Sequence, residues 1–272
     1  MGREEQVTPL HHVRHEHREG VLVITMDNPP NAALDSSVRT SLVHILDEAE
    51  RDPAVNSIVI TGPPGSFATG AGLSETVLPD TPTLAEVCDR CESSSKPVVV
   101  AISGPARGGG LELALAAHLR VATPTVRLGA PDITIGLVPN AGGTQRLPKV
   151  IGGVAALKLL LSGKGVTGEA AQKIGLVDVL AGDELLETAI SNARSLAESG
   201  GVLRRSSTRR DRLGEGTAFL EAVAGYRKAA QSGPRDAPAR MIECIEAALL
   251  LPYEIGRGLE EAAYEDLVSS EH

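Results

Sequence analysis

The chain has 272 residues, 42% hydrophobic and 22% charged, which suits one large packed domain or a domain with an appendage and argues against disorder. A net charge of −9 opposes binding to a nucleic-acid backbone, and 2% aromatics with no Trp leave few platforms for stacked bases, so the core must be aliphatic and nucleic acid is not an expected partner. No apolar run reaches membrane-spanning length, Met1–Leu10 carries no apolar signal segment, and three sparse cysteines (Cys88, Cys91, Cys244) fit a reducing, cytoplasmic compartment.

In chain order, His11, His12, His15 and His17 stand among charges and read as an exposed strand or arm rather than a metal site. Val21–Met26 is a β-rich run stopped by Asn28-Pro29-Pro30. Asp35 caps a helix whose Val38, Leu42, Ile45 and Leu46 recur at helical spacing. Ser57–Thr61 is a second buried strand, followed by a Gly/Ala-rich loop over residues 66–76. Thr83–Cys91 reads as helix. There Cys88-Asp-Arg-Cys91 has a redox-like spacing, but no second pair completes a zinc site, so both are plain helix positions. Pro97–Ile102 is a third apolar strand. Leu111–His118 is a helix apolar nearly all round, hence buried, and Leu119–Ala122 is a strand. Val154–Leu161, Glu169–Ile174 (capped by Thr167, stopped by Gly175) and Glu184–Glu198 are helices. Gly200–Gly216, with Arg204, Arg205, Arg209, Arg210 and Arg212, reads as a solvated linker or long exposed loop. Helices Thr217–Gln231, Ala237–Leu250 and Ile255–Val268 close the chain.

Strands alternate with helices to about residue 180, and helices alone follow. The expected architecture is an α/β core over residues 1–198 with a linker and helical region over 199–272. No P-loop or dinucleotide fingerprint is present.

Gly104-Pro-Ala-Arg-Gly-Gly-Gly-Leu-Glu112 carries the most chemistry. Consecutive glycines bare the backbone where a helix begins, and the first N–H groups of a helix have no partner inside it. Glu112, one turn in, stands among Leu111, Leu113, Ala114 and Leu115. Oxyanion donors behind an acid in apolar surroundings suit proton transfer beside a polarised carbonyl. A first-turn Glu that merely stabilises its helix is the competing explanation.

Phe67-Ala-Thr-Gly-Ala-Gly-Leu-Ser-Glu75, Gly108-Gly-Gly-Leu-Glu-Leu-Ala114 and Pro131-Asp-Ile-Thr-Ile-Gly-Leu-Val-Pro139 resemble the signature segments of the crotonase (enoyl-CoA hydratase/isomerase) superfamily. Ala141-Gly-Gly-Thr-Gln-Arg-Leu-Pro148 and Ala170–Val177 extend the likeness, which spans about Val21 to Ser269. The resemblance implies a spiral of β-β-α units with a helical C-terminal region. It also implies a coenzyme A thioester as substrate, with no further cofactor and no metal. Ala71 and Gly109 would supply the oxyanion-hole N–H groups, and Glu112 would be the first catalytic acid. Ala32, Leu34, Ala68, Gly70, Leu73, Gly108, Pro131 and Asn140 would line the substrate. Association as a trimer or hexamer is implied as well.

The second family glutamate falls on Asp132, whose arm is shorter by about 1.5 Å. Gly72 stands where many members carry Asp, and Asn140 where many carry Gly; Asn140 is either an extra polar group in the pocket or a turn residue tolerating φ > 0. Pro252–Ser270 is similar to the helix after the hydratase module of multifunctional β-oxidation enzymes, whose dehydrogenase and NAD site are not expected in a chain of 272 residues. The expected reaction is syn hydration of a trans-2-enoyl-CoA in fatty-acid β-oxidation. Double-bond isomerisation, diketone or acyl-CoA hydrolysis, and a low-activity acyl-CoA-binding module remain alternatives.

Overall fold

After an opening hairpin, strands leave this chain in pairs, and the members of each later pair join different sheets. The computed structural model describes residues 12–70, 81–212, 214–230 and 236–269. β1 (Val13–Arg18) and β2 (Val21–Met26) form an antiparallel hairpin through Glu19 and Gly20, both at positive φ. α1 (Ser36–Arg51) follows, capped by the Asp35 side chain at the Val38 amide. Next come β3 (Ser57–Thr61), β4 (Ala68–Thr69) and α2 (Leu84–Ser93), the last opened by a Thr83–Glu86 capping box. The following turn is β5 (Val98–Ile102), β6 (Ala106–Arg107) and α3 (Gly109–Ala116). β7 (Leu119–Ala122) and β8 (Arg127–Gly129) lead to a 3₁₀ turn over Asp132–Ile135, then α4 (Gly143–Ile151) and α5 (Gly153–Ser162). β9 (Val166–Thr167), α6 (Gly168–Lys173), β10 (Val179–Leu180) and α7 (Leu185–Ser199) complete the spiral. α8 (Gly216–Ala230), α9 (Ala237–Leu250) and α10 (Tyr253–Ser269) form the C-terminal region.

One sheet has six strands in the order β1-β2-β3-β5-β7-β10, parallel from β2 onward; the other has four, β4-β6-β8-β9. Side chains alternate across the first sheet. Val21, Val23, Val59, Val99 and Ala101 face α7, where they meet Ala189, Ile190 and Ala193. Leu22, Ile24, Ile58, Ile60, Val98, Val100 and Ile102 face the main core. A strand buried on both faces reads as an unbroken apolar run. All eight residues of α3 are buried, as its all-round apolarity predicts.

Two expectations need correction. Residues 200–216 are not simply solvated: Ser206 and Ser207 are buried in a 3₁₀ turn, the Ser207 amide donates to Glu92 and its carbonyl accepts from Lys149. The surrounding arginines mask this anchor in any average over the segment. α4 is not anticipated as a helix. It is only nine residues long and contains Pro148, a helix breaker in sequence, and its polar Thr144, Gln145, Arg146 and Lys149 are all buried rather than turned to solvent. Its apolar side chains Leu147 and Val150 share one core with Met241, Ile242 and Ile245 of α9, so that core draws on residues from both sides of position 198.

Of the remaining motif residues, His15 and His17 lie exposed on β1, while His11 is outside the described residues. Cys88 and Cys91 are buried, unbridged helix residues.

Candidate active site

The glycine turn is built for close approach. Gly108, at φ 52° and ψ −121°, caps α3 in a conformation that side chains resist. A Cβ on Gly110 would lie 1.9 Å from the Ala68 carbonyl oxygen, and one on Gly109 would lie 3.0 Å from Gly70 Cα and 2.4 Å from Leu84 Cδ2. Side chains here would therefore push α3 away from β4. Across β4, the Thr69 amide donates to Ala32 O at 2.9 Å and the Leu34 amide to Thr69 O at 3.1 Å. The fold thus brings Ala32, Leu34, Ala68, Gly70, Gly108 and Gly109 together at the amino end of α3. Ala71 and Leu73 lie outside the described residues.

Glu112 is 3% exposed, and its Oε1 accepts from the Ala141 amide at 2.7 Å and the Gly143 amide at 2.8 Å. Asp132 opens the 3₁₀ turn after Pro131. Its Oδ1 lies 3.9 Å from where a Gly108 Cβ would be, and its Oδ2 is buried with no hydrogen-bond partner among the described residues. Asp132 thus lies at the glycine turn and the Glu112 carboxyl group at the Ala141 and Gly143 amides, close enough to sense the Asp132 charge. Burial pushes Glu112 up to about 8, helped by the charges of Glu260 and Asp132 and opposed by the two amides. Burial also pushes Asp132 up, opposed by its own backbone amide, with Glu260 adding to the rise.

Asn140 is exposed, and its carbonyl accepts from Arg257 Nη1 at 3.1 Å. It is no left-handed turn residue: among the described residues, positive φ outside glycine is confined to His12, Glu19 and Ala32.

Glu260, on α10, is the acid that sequence reasoning missed. It is fully buried and accepts from the Gly142 amide at 2.7 Å, the Thr144 amide at 2.8 Å, the Thr144 hydroxyl and Arg257 Nη1. In sequence, Arg257 and Glu260 look like any i,i+3 surface pair. Arg146, also fully buried, fixes the same segment from behind: it donates to Ala141 O at 2.8 Å, to Glu92 and to Asp89, with Tyr253 stacked on it at 5.0 Å. Among the described residues, no group of three or more His, Cys, Asp or Glu could hold a metal ion.

Residues 16–208 match the enoyl-CoA hydratase/isomerase family. The chain belongs to that family. It is 42% identical over 188 residues to a probable enoyl-CoA hydratase of Bacillus subtilis (strain 168), covering 65% of this chain and 73% of that relative. It is 37% identical over 254 residues to the peroxisomal bifunctional enzyme of Danio rerio, covering 93% of this chain. It spans about a third of that relative's length (35%). Among solved structures, the enoyl-CoA hydratase from Mycobacterium tuberculosis H37Rv aligns with a TM-score of 0.64 at 28% identity, covering 88% of this chain and 90% of that one. The crotonase-like spiral expected from the resemblance is the fold observed.

Proposed function

We propose that this chain hydrates trans-2-enoyl-CoA thioesters to 3-hydroxyacyl-CoA, the hydration step of fatty-acid β-oxidation. The observation that carries the proposal is that one site holds two carboxyl groups, Asp132 beside Gly108 with a buried Oδ2 and Glu112 buried one helical turn along α3 within reach of its charge. Hydration needs two acids at one site, whereas shuttling a proton between carbons needs one. In this reading the thioester oxygen rests on the Gly109 and Ala71 N–H groups, each worth roughly 3 kcal/mol to the enolate-like transition state. Glu112, its Oε1 occupied by two amides, orients water with its other oxygen. The water oxygen bonds to C3, its proton goes to Glu112, and Asp132 delivers a proton to C2. Water is the only co-reactant, and no cofactor takes part.

The acids must hold one proton between them. Like charges in a buried pocket oppose double ionisation. Turnover should therefore be bell-shaped in pH: the lower limb, where Glu112 gives up its proton to act as base, lies near the value of about 8 to which it is raised, and the upper limb follows loss of the Asp132 proton.

Crotonyl-CoA in ¹⁸O-water tests the proposal. Loss of the conjugated thioester absorbance with ¹⁸O in the product is expected. Absorbance gained from a 3-enoyl-CoA with no ¹⁸O uptake would assign an isomerase instead, release of free coenzyme A a hydrolase, and binding without turnover a module.

Self-association and a reducing, cytoplasmic setting belong to the same reading. Leu220, Leu250, Ile255 and Leu259 are 64%, 76%, 56% and 46% exposed on α8, α9 and α10, large apolar side chains that an assembly would cover. Light scattering should return the mass of a trimer or hexamer; the mass of one chain would dismiss this assembly. Cys88, Cys91 and Cys244 are all free and buried.

A further inference from the structure

Two carboxylates divide the amino end of α4 between them. The Ala141 and Gly143 amides go to Glu112, and the intervening Gly142 and Thr144 amides go to Glu260. No side chain of α4 or its cap supplies an N-terminal hydrogen bond, so these acids from α3 and α10 satisfy the free amides. Glu260 is also bonded by the Thr144 hydroxyl and paired with Arg257 at 2.7 Å. A fully buried charge is costly unless it is paired and hydrogen-bonded, and a surface role cannot explain one placed here.

We infer that Glu260 is a positioning residue for Glu112: it fixes the α4 amino end that orients the Glu112 carboxyl group, and the Glu260–Arg257 pair controls how readily that group releases its proton. The kinetic part of the inference rests on the hydratase reading; the control of the proton does not. After burial, the Glu260 charge is the largest influence raising Glu112, ahead of Asp132. Arg257, half-buried beside Glu260, senses Glu112 as well. The groups facing Glu260 are Arg257 from α10 itself, Thr144 from α4, Glu112 from α3, Asp132 from the 3₁₀ turn, and Cys244 from α9. Tyr264, further along α10, faces the two acids of the pair.

Opposite charges should act with opposite signs. Glu260→Gln removes a negative charge, so the whole bell-shaped profile of kcat/KM on crotonyl-CoA should move to lower pH, by about one unit. Arg257→Gln removes a positive charge and should move it to higher pH. In Glu260→Gln, kcat at the wild-type optimum should fall about tenfold with KM within about twofold, since the oxyanion amides are untouched. Glu112 is followed separately by ¹³C NMR of protein labelled at glutamate Cδ, its signal assigned by its loss in Glu112→Gln. That titration should shift down in Glu260→Gln and up in Arg257→Gln. Opposed NMR shifts without crotonyl-CoA turnover would uphold the inference while sinking the hydratase reading. Unmoved titrations, or shifts of the same sign in both variants, would overturn it. Should Glu260→Gln fail to fold, Arg257→Gln leaves Glu260 on its amides, and the direction of its shift decides.

Discussion

Glu112 Oε1 receives two backbone amides, and a glutamine oxygen can receive them equally well. Glu112→Gln should therefore preserve the shape of the site while removing the base. Turnover of crotonyl-CoA should drop by roughly a hundredfold to ten-thousandfold, the usual span for general acid–base groups, with thioester affinity retained. Wild-type turnover in that variant would rule Glu112 out as the base. Asp132 poses the opposite question, because its Oδ2 is buried without a partner beside Gly108. A buried carboxyl oxygen with no partner among the described residues calls for an explanation, and carrying the proton destined for C2 supplies one. If Asp132 is a proton donor set back by one methylene, Asp132→Glu should raise turnover and Asp132→Ala should lose it. A pocket built around Asp would be overpacked by Glu at roughly 1–3 kcal/mol, and turnover would fall. The higher-turnover outcome is expected, and crotonyl-CoA and a longer enoyl-CoA measured side by side decide it.

At the scale of elements, what was legible follows from how local the signal is. β2 and β3 are read at Val21–Met26 and Ser57–Thr61 because they are continuous β-rich runs between clear stops. The helix at Asp35 is read because its cap is a neighbour in sequence. The two-residue strands β4 and β6 are too short to carry any period, and only their place beside the glycine turn gives them meaning. The turn itself was visible in residues 104–112. Glu260 was not, since its amide partners lie at the amino end of α4 and its one local partner, Arg257, looks like half of an ordinary surface pair. Element geometry also yields a test. A valine at position 109 would put its Cβ 3.0 Å from Gly70 backbone and 2.4 Å from the Leu84 side chain. Leu84 can give way; the backbone cannot without moving α3 from β4. Gly109→Val should lower affinity and turnover together while circular dichroism still reports a folded protein. A folded variant with normal turnover would show that the oxyanion hole lies elsewhere.

For the whole molecule, α10 returns to the spiral and places a third carboxyl group beside two others, so the fold stores like charge at its centre. Arg257 offsets part of it through its bond to Glu260. Stability should record the remainder. Glu112 ionises near 4.5 when unfolded but holds its proton to about 8 when folded, so the unfolded chain binds fewer protons between those values. Its contribution is fully present below about 4.5 and is lost as pH rises through about 8. Asp132, also raised, acts with the same sign from a lower starting value. The accumulated loss attributable to Glu112 is on the order of a few kcal/mol. Glu112→Gln removes the titration and keeps both amide bonds. Its Tm relative to wild type should therefore climb steadily between pH 5 and pH 8.5. Melting both proteins in a series of buffers at constant ionic strength makes the comparison, because surface pairs then contribute equally to each. A difference in Tm that stays flat across that range would mean that the folded protein does not hold the Glu112 proton, and the electrostatic account of the site would have to be abandoned.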